Sequence, residues 1–131
     1  MSTMTQSILT TVKRTLGLSE DYTVFDNEII THINSVFGDL HQLGVGPLVG
    51  FEIEDVNATW GDFLANDVVL NATRSYMYLR VKQLFDPSTI GFVLTAQKEA
   101  IEKAEWRLMV AADIVPDGDD ESQFILDGGT P

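Results

Sequence analysis

Between Val68 and Phe85 the chain carries apolar side chains around almost the whole circumference of a helix. Val69, Ala72, Tyr76 and Leu79 fall on one face, and Leu70, Met77, Val81 and Leu84 on another. A helix of this kind either lies at the centre of a bundle or is covered in part by a partner. Asp86-Pro87 ends it, because the residue before a proline is turned away from the helical region. No apolar run in the chain approaches the ~18 to 20 residues needed to cross a bilayer.

The flanking segments repeat the helical period. Ile8, Leu9, Val12 and Leu16 form a stripe closed by Gly17, where a helix C-terminus favours glycine. Ile29, Ile33, Val36, Leu40 and Leu43 are spaced by threes and fours, with Ile30 and Phe37 widening the face. Asp26 and Glu28 in the first turn suit the helix dipole and Gly44 ends the segment, so a helix is expected from about Phe25 to Leu43. Gly44 to Gly50 is too heavily punctuated for regular structure. Phe51-Glu52-Ile53-Glu54 alternates as an extended arm or half-exposed strand would, and a hairpin with Ala58 and Thr59 returning is open. Thr59 with Asp62 three residues on reads as a helix cap, and a short helix through Leu64 follows.

The last helix is expected from about Ser88 to Asp113, with Leu94, Ile101, Ala104, Leu108 and Ala111 on one face and Ala96 and Ala100 at its edge. Lys98, Glu99, Glu102 and Lys103 lie on the other side, and Glu99 with Lys103 is a favourable pair. Trp106 and Val110 project from this charged side. Trp106 either folds down on another part of the same chain or anchors an interface, where tryptophan is over-represented among hot spots. From Ile114 onward the acids Asp117, Asp119, Asp120, Glu121 and Asp127 surround one apolar triplet, Phe124-Ile125-Leu126. That composition predicts an extended tail that orders only on a partner. The expected fold is therefore all-α: a bundle of four to five helices over residues 1–113, a short extended or hairpin arm near 50–59, and an acidic docking tail over 114–131.

The chain has 131 residues, 14.5 kDa, one ordinary domain's worth, and 44% of them are hydrophobic. It contains no cysteine, which excludes disulfides, thiolate catalysis and cysteine-based metal sites. The N-terminal residues lack the order of a signal peptide, so a soluble, intracellular product is expected. Eight bases against twenty acids leave a net charge of −12, which opposes a general electrostatic grip on nucleic acid. The charges are also segregated. Ten acids lie between Thr15 and Thr73 with no base among them, then Arg74, Arg80 and Lys82 come together, and six acids follow Arg107. Two readings stand: solvated acidic faces, or acidic and basic surfaces that meet between copies of the chain, Arg74 or Arg80 facing Asp39, Asp62 or Asp67 of a neighbour.

No chemical motif emerges. His32 and His41, nine residues apart on one helix, point to opposite faces and cannot share a metal from it. Asp117, Asp119 and Glu121 lack the glycine and terminal glutamate of a calcium loop. There is no phosphate-binding glycine loop, dinucleotide fingerprint or nucleophile elbow. No enzyme, no catalytic residue, no metal and no cofactor are expected.

Four stretches in order nevertheless resemble a known family. They are Asp26-Asn27-Glu28-Ile29-Ile30-Thr31-His32-Ile33-Asn34-Ser35-Val36-Phe37 with Gln42-Leu43-Gly44-Val45-Gly46-Pro47, then Thr59-Trp60-Gly61-Asp62-Phe63-Leu64, then Tyr76 to Pro87, then Ile101 to Leu108 with Glu105-Trp106-Arg107-Leu108. Together they are similar to the head–tail connector (adaptor, or head-completion) proteins of long-tailed double-stranded-DNA phages. Ser88 stands where that family would carry a second proline, and the tail after Ile114 matches none of its motifs. The resemblance implies a structural virion protein of the neck, made in the host cytoplasm, that forms a ring of about twelve copies below the portal. Such a ring extends the DNA channel without sequence-specific binding and offers a platform to the next neck, stopper or tail-completion protein, with no membrane involved. Interface residues would then be Arg74, Arg80, Lys82, Trp106 and Val110, with Phe124, Ile125 and Leu126 docking on the portal. The competing reading is a non-virion helical interaction module, such as a regulatory or anti-repressor protein.

Overall fold

The computed structural model describes residues 3–65 and 67–114. Among them a short 3-10 turn, Thr3–Thr5, precedes five helices: α1 (Ile8–Thr15), α2 (Asp26–Gln42), α3 (Trp60–Phe63), α4 (Asp67–Phe85) and α5 (Gly91–Ile114). There is no strand among the described residues, only one antiparallel bridge between Ser7 and Thr59. The expected all-α bundle is what forms. The tail from 115, with Phe124, Ile125 and Leu126, lies outside the described residues.

α4 is the central helix, packed against α1, α2 and α5. Its buried side chains are Val69, Leu70, Thr73, Tyr76, Met77 and Val81, and they meet Ile29, Ile33, Val36, Phe37 and Leu40 of α2 and Ile8, Leu9 and Val12 of α1 in one core. Ser7 caps α1 by accepting from the Thr10 amide at 3.2 Å. Lys13, only 2% exposed, fastens α1 to the start of α2: its Nζ lies 2.8 Å from Asp26 and donates to the Glu20 carbonyl at 3.1 Å. A lysine this deep is tolerated because its charge has both a carboxylate and a carbonyl to meet.

The arm near 50–59 has no regular structure over 50–54, bends and turns at 55–57, and makes no hairpin with itself. The Asn34 side chain takes both backbone groups of Ile53, accepting from its amide at 2.8 Å and donating to its carbonyl at 3.0 Å. An amide side chain thus does what a partner strand would have done. Ala58 and Thr59 go instead to the N-terminal segment, where the Ile8 amide donates to the Ala58 carbonyl at 3.0 Å and the Trp60 amide to the Gln6 carbonyl at 3.2 Å. Thr59 and Asp62 form the expected capping box on α3. α3 drops Trp60 and Phe63 into the core, with the Trp60 indole N–H donating to the Thr11 hydroxyl at 2.9 Å. Phe37 stacks against Phe51, Trp60 and Phe63 there. Gly46 passes directly over the Phe63 ring with φ +95, a backbone state and an approach that only glycine allows.

α5 begins at Gly91, three residues later than the pattern predicts, because Ser88 accepts from the Ile90 amide at 3.1 Å in a local turn. The expected inward stripe holds only in part. Ile101 and Leu108 are buried and Ala104 and Ala111 half-buried, whereas Leu94, Ala96 and Ala100 are exposed. α4 is the main neighbour of α5, so the first half of α5 has cover on one side only.

Candidate interaction surfaces

The basic residues of α4 were expected to face a neighbour, and Arg80 already has its charge partners within the chain. It is the centre of an internal clasp joining three helices. Its Nη1 lies 2.7 Å from Asp39 of α2 and donates to the Tyr76 hydroxyl at 2.6 Å, while that hydroxyl donates to Glu105 of α5 at 2.8 Å. Burial would drain the Arg80 charge, but Asp39 and Tyr76 outweigh it and hold the guanidinium above its ordinary pKa. The Tyr76 phenol is pushed up to about 12, by burial first and by its bond to Glu105 next, against the pull of Arg80. Arg80 thus finds one of the three acids named as its partners, Asp39, within its own chain. Helix patterning places each of these residues on its helix but is blind to which helices pack together.

Arg74, Lys82, Asp62 and the two histidines are also engaged. Arg74 donates from Nε to the Tyr78 hydroxyl at 3.2 Å with its guanidinium 5.7 Å from that ring's centre. Lys82 pairs with Asp86 one turn on, at 3.2 Å. Asp62 accepts from the Thr59 amide at 2.9 Å in its own helix cap. His32 sits 3.5 Å from Glu28, and His41 Nε2 lies 2.9 Å from the Leu48 carbonyl, so the two histidines serve separate local contacts. Among the described residues no group of three or more His, Asp or Glu could hold a metal ion.

Trp106 does not fold down on its own chain. It stands 63% exposed on the outer side of α5, with Met109 at 45% and Phe92 at 79%. Phe92 and Trp106 are fourteen residues apart, within about 40° of one another around the helix and about 21 Å along it. Val110, on the same side, is half-buried. Leu84 and Ile90 at the α4–α5 turn are exposed too.

One apolar feature was missed in the sequence. The Gly50 amide donates to the Pro47 carbonyl at 3.0 Å, closing a β-turn whose central residues are Leu48 and Val49. Both are 96% exposed. The signal was present: two aliphatic residues between Pro47 and Gly50 occupy positions that turns usually give to polar side chains. Hollows open on the surface of the described residues. One of about 400 Å³ lies between α2 and residues 49–52, lined by Asn34, Gly38, His41 and Glu52 among others. Its Asn34 and His41 are already spent on backbone groups. The second, about 470 Å³ and mostly apolar, lies between the end of α1 and the outer side of α4, lined by Thr15, Ser75, Tyr78, Leu79 and Lys82.

A small helical bundle that leaves large aromatic and aliphatic side chains outside its core is built for assembly with other proteins. The family model described as phage connector protein matches residues 8–114, and the chain belongs to that family. It is a structural connector protein of the bacteriophage head–tail junction, a structural rather than an enzymatic kind. The matched stretch begins with α1 and ends with α5, so it is the bundle itself. No curated protein and no solved structure is found to match the chain. No helix of the described residues is long and apolar enough to cross a membrane.

Proposed function

We propose that the chain closes into a homo-oligomeric ring of about twelve copies below the portal, where it lengthens the DNA channel and carries the next neck or tail-completion protein. The observation that carries this reading is the outer side of α5, where Phe92 and Trp106 are 79% and 63% exposed on a helix whose opposite side is already packed. Large aromatics cost solubility in that position unless a partner covers them. Membership of the connector family supplies the class of partner. The excess of acids over bases, net −12, fits a channel wall that repels phosphate and lets DNA slide. Lys82 and Val110 are further candidate contacts, and the segment 114–131, through Phe124-Ile125-Leu126, is the portal-docking element appended to the bundle of residues 1–113.

The test is capture by purified portal. The full chain should bind, and a chain ending at residue 113 should bind at least tenfold more weakly while keeping its helical circular dichroism. Equal capture of both chains removes the tail from the docking role. No capture of the full chain removes the portal as partner.

A further inference from the structure

We propose that Leu48 and Val49 of one copy of this chain insert into the groove between α1 and α4 of the next copy. The proposal rests on the ring reading above and names the contact that would close it. Leu48 and Val49, each 96% exposed, are the most exposed large apolar side chains among the described residues. Their turn is not loose: the Pro47–Gly50 bond closes it and His41 Nε2 meets the Leu48 carbonyl, so the pair is presented at little further cost in order. An aliphatic pair held out in this way is a plug in need of a socket.

The groove has the complementary character. Ser75, Tyr78, Leu79 and Lys82 lie on the side of α4 turned away from its buried stripe, with Thr15 of α1 completing the wall. This accounts for the feature that dominates the sequence. The core covers one side of α4; Tyr78 and Leu79, half-buried at the edge of that core with Tyr78 edge-on to Trp60, keep an outer surface that a neighbour would cover. At about 470 Å³ the groove exceeds the roughly 150 Å³ that accommodates a benzene, so it has space for two aliphatic side chains.

Charge selects the occupant. Exposed Glu52, Glu54 and Asp55 follow the plug, whereas Lys82 lines the groove, with Asp86 as the acid paired with it. Arg14 and Arg74 directly precede the lining residues Thr15 and Ser75 in the chain, and Arg74 lies against the lining Tyr78. Acids around the plug and bases around the socket favour a second copy of this chain as the source. Plug and socket share no residue, so each subunit can use both at once. Such a head-to-tail contact is heterologous, the kind that closes rings.

Because the chain has no cysteine, an added thiol is the only one that each variant chain carries, and a link between two such chains is told by its mass from a link to portal. Full-length Val49→Cys and Ser75→Cys chains, both substitutions at exposed positions, are mixed with portal and oxidised. Native mass measurement of the same samples reports whether rings have formed. The expected result is a disulfide-linked dimer in the mixture and none in either chain alone. A chain carrying both cysteines should give a ladder of linked subunits, and Leu48→Asp should weaken subunit association by about tenfold or more. Rings without a crosslink in the mixture overturn this contact and leave the ring standing. A dimer in Val49→Cys alone replaces the head-to-tail contact with a two-fold one. No crosslink and no ring overturn both readings.

Discussion

Replacing Tyr76 by phenylalanine tests the clasp that ties α2, α4 and α5 together. The change removes one hydroxyl and leaves the fully buried ring in place. Glu105 loses a donor at 2.8 Å and Arg80 loses an acceptor at 2.6 Å, although Arg80 keeps Asp39 at 2.7 Å. Hydrogen bonds to charged groups contribute about 1.5–3 kcal/mol in mutational series. The Asp39 and Glu105 side chains are 42% and 37% exposed, so water replaces part of what is lost. The expected cost is then about 1–2 kcal/mol, or roughly 3–10 °C in Tm. The pH dependence is the sharper readout. Tyr76 titrates at about 12 in the folded chain and at 10.0 when unperturbed. Between those values the unfolded chain binds fewer protons than the native one, so stability falls as pH rises. The contribution is complete below about pH 10 and is lost as pH rises toward about 12. Tyr76→Phe has no such group. Urea unfolding followed by circular dichroism from pH 8 to 12 should show wild type more stable at pH 8 and the gap closing above pH 10. No difference at pH 8 would refute the clasp, and parallel curves across that range would refute the raised pKa of the buried Tyr76 phenol.

Thr59→Ala removes the acceptor for the Asp62 amide at the start of α3 and should cost about 1 kcal/mol in chemical unfolding. Gly46→Ala drives a methyl group into the Phe63 ring at φ +95 and should lower stability by about 2 kcal/mol or more, with a changed near-ultraviolet spectrum from the aromatic cluster. Trp106→Ala should leave the unfolding midpoint of the isolated chain nearly unchanged, yet weaken assembly by about 2 kcal/mol or more in sedimentation. A large loss of stability in that variant would return Trp106 to the fold.

The helices were legible because their signals are local. Period, caps and breakers lie within a few residues of one another, and the Thr59–Asp62 box and the stop at Asp86-Pro87 need nothing from the rest of the chain. The arm at 51–59 failed for the opposite reason. Its backbone partners are Asn34, nineteen residues before Ile53, and the segment around Ser7, and no alternation of side chains announces them. Arg80 shows the same limit. Its charge and helix position are plain in sequence, but whether Asp39 of its own chain or of a neighbour meets it depends on how α2 packs on α4. The exposed face of α5 was half legible. Trp106 stood out against its charged surroundings, whereas the exposure of Leu94, Ala96 and Ala100 follows from where the bundle stops covering α5.

The central claim is that this connector acts as a ring on the portal, and electron microscopy of the purified full-length chain with portal tests it most directly. A closed ring of about twelve copies, coaxial with the portal and continuing its channel, is the predicted result. Monomers or dimers decorating the portal without closure, or no density beneath it at all, would contradict the account.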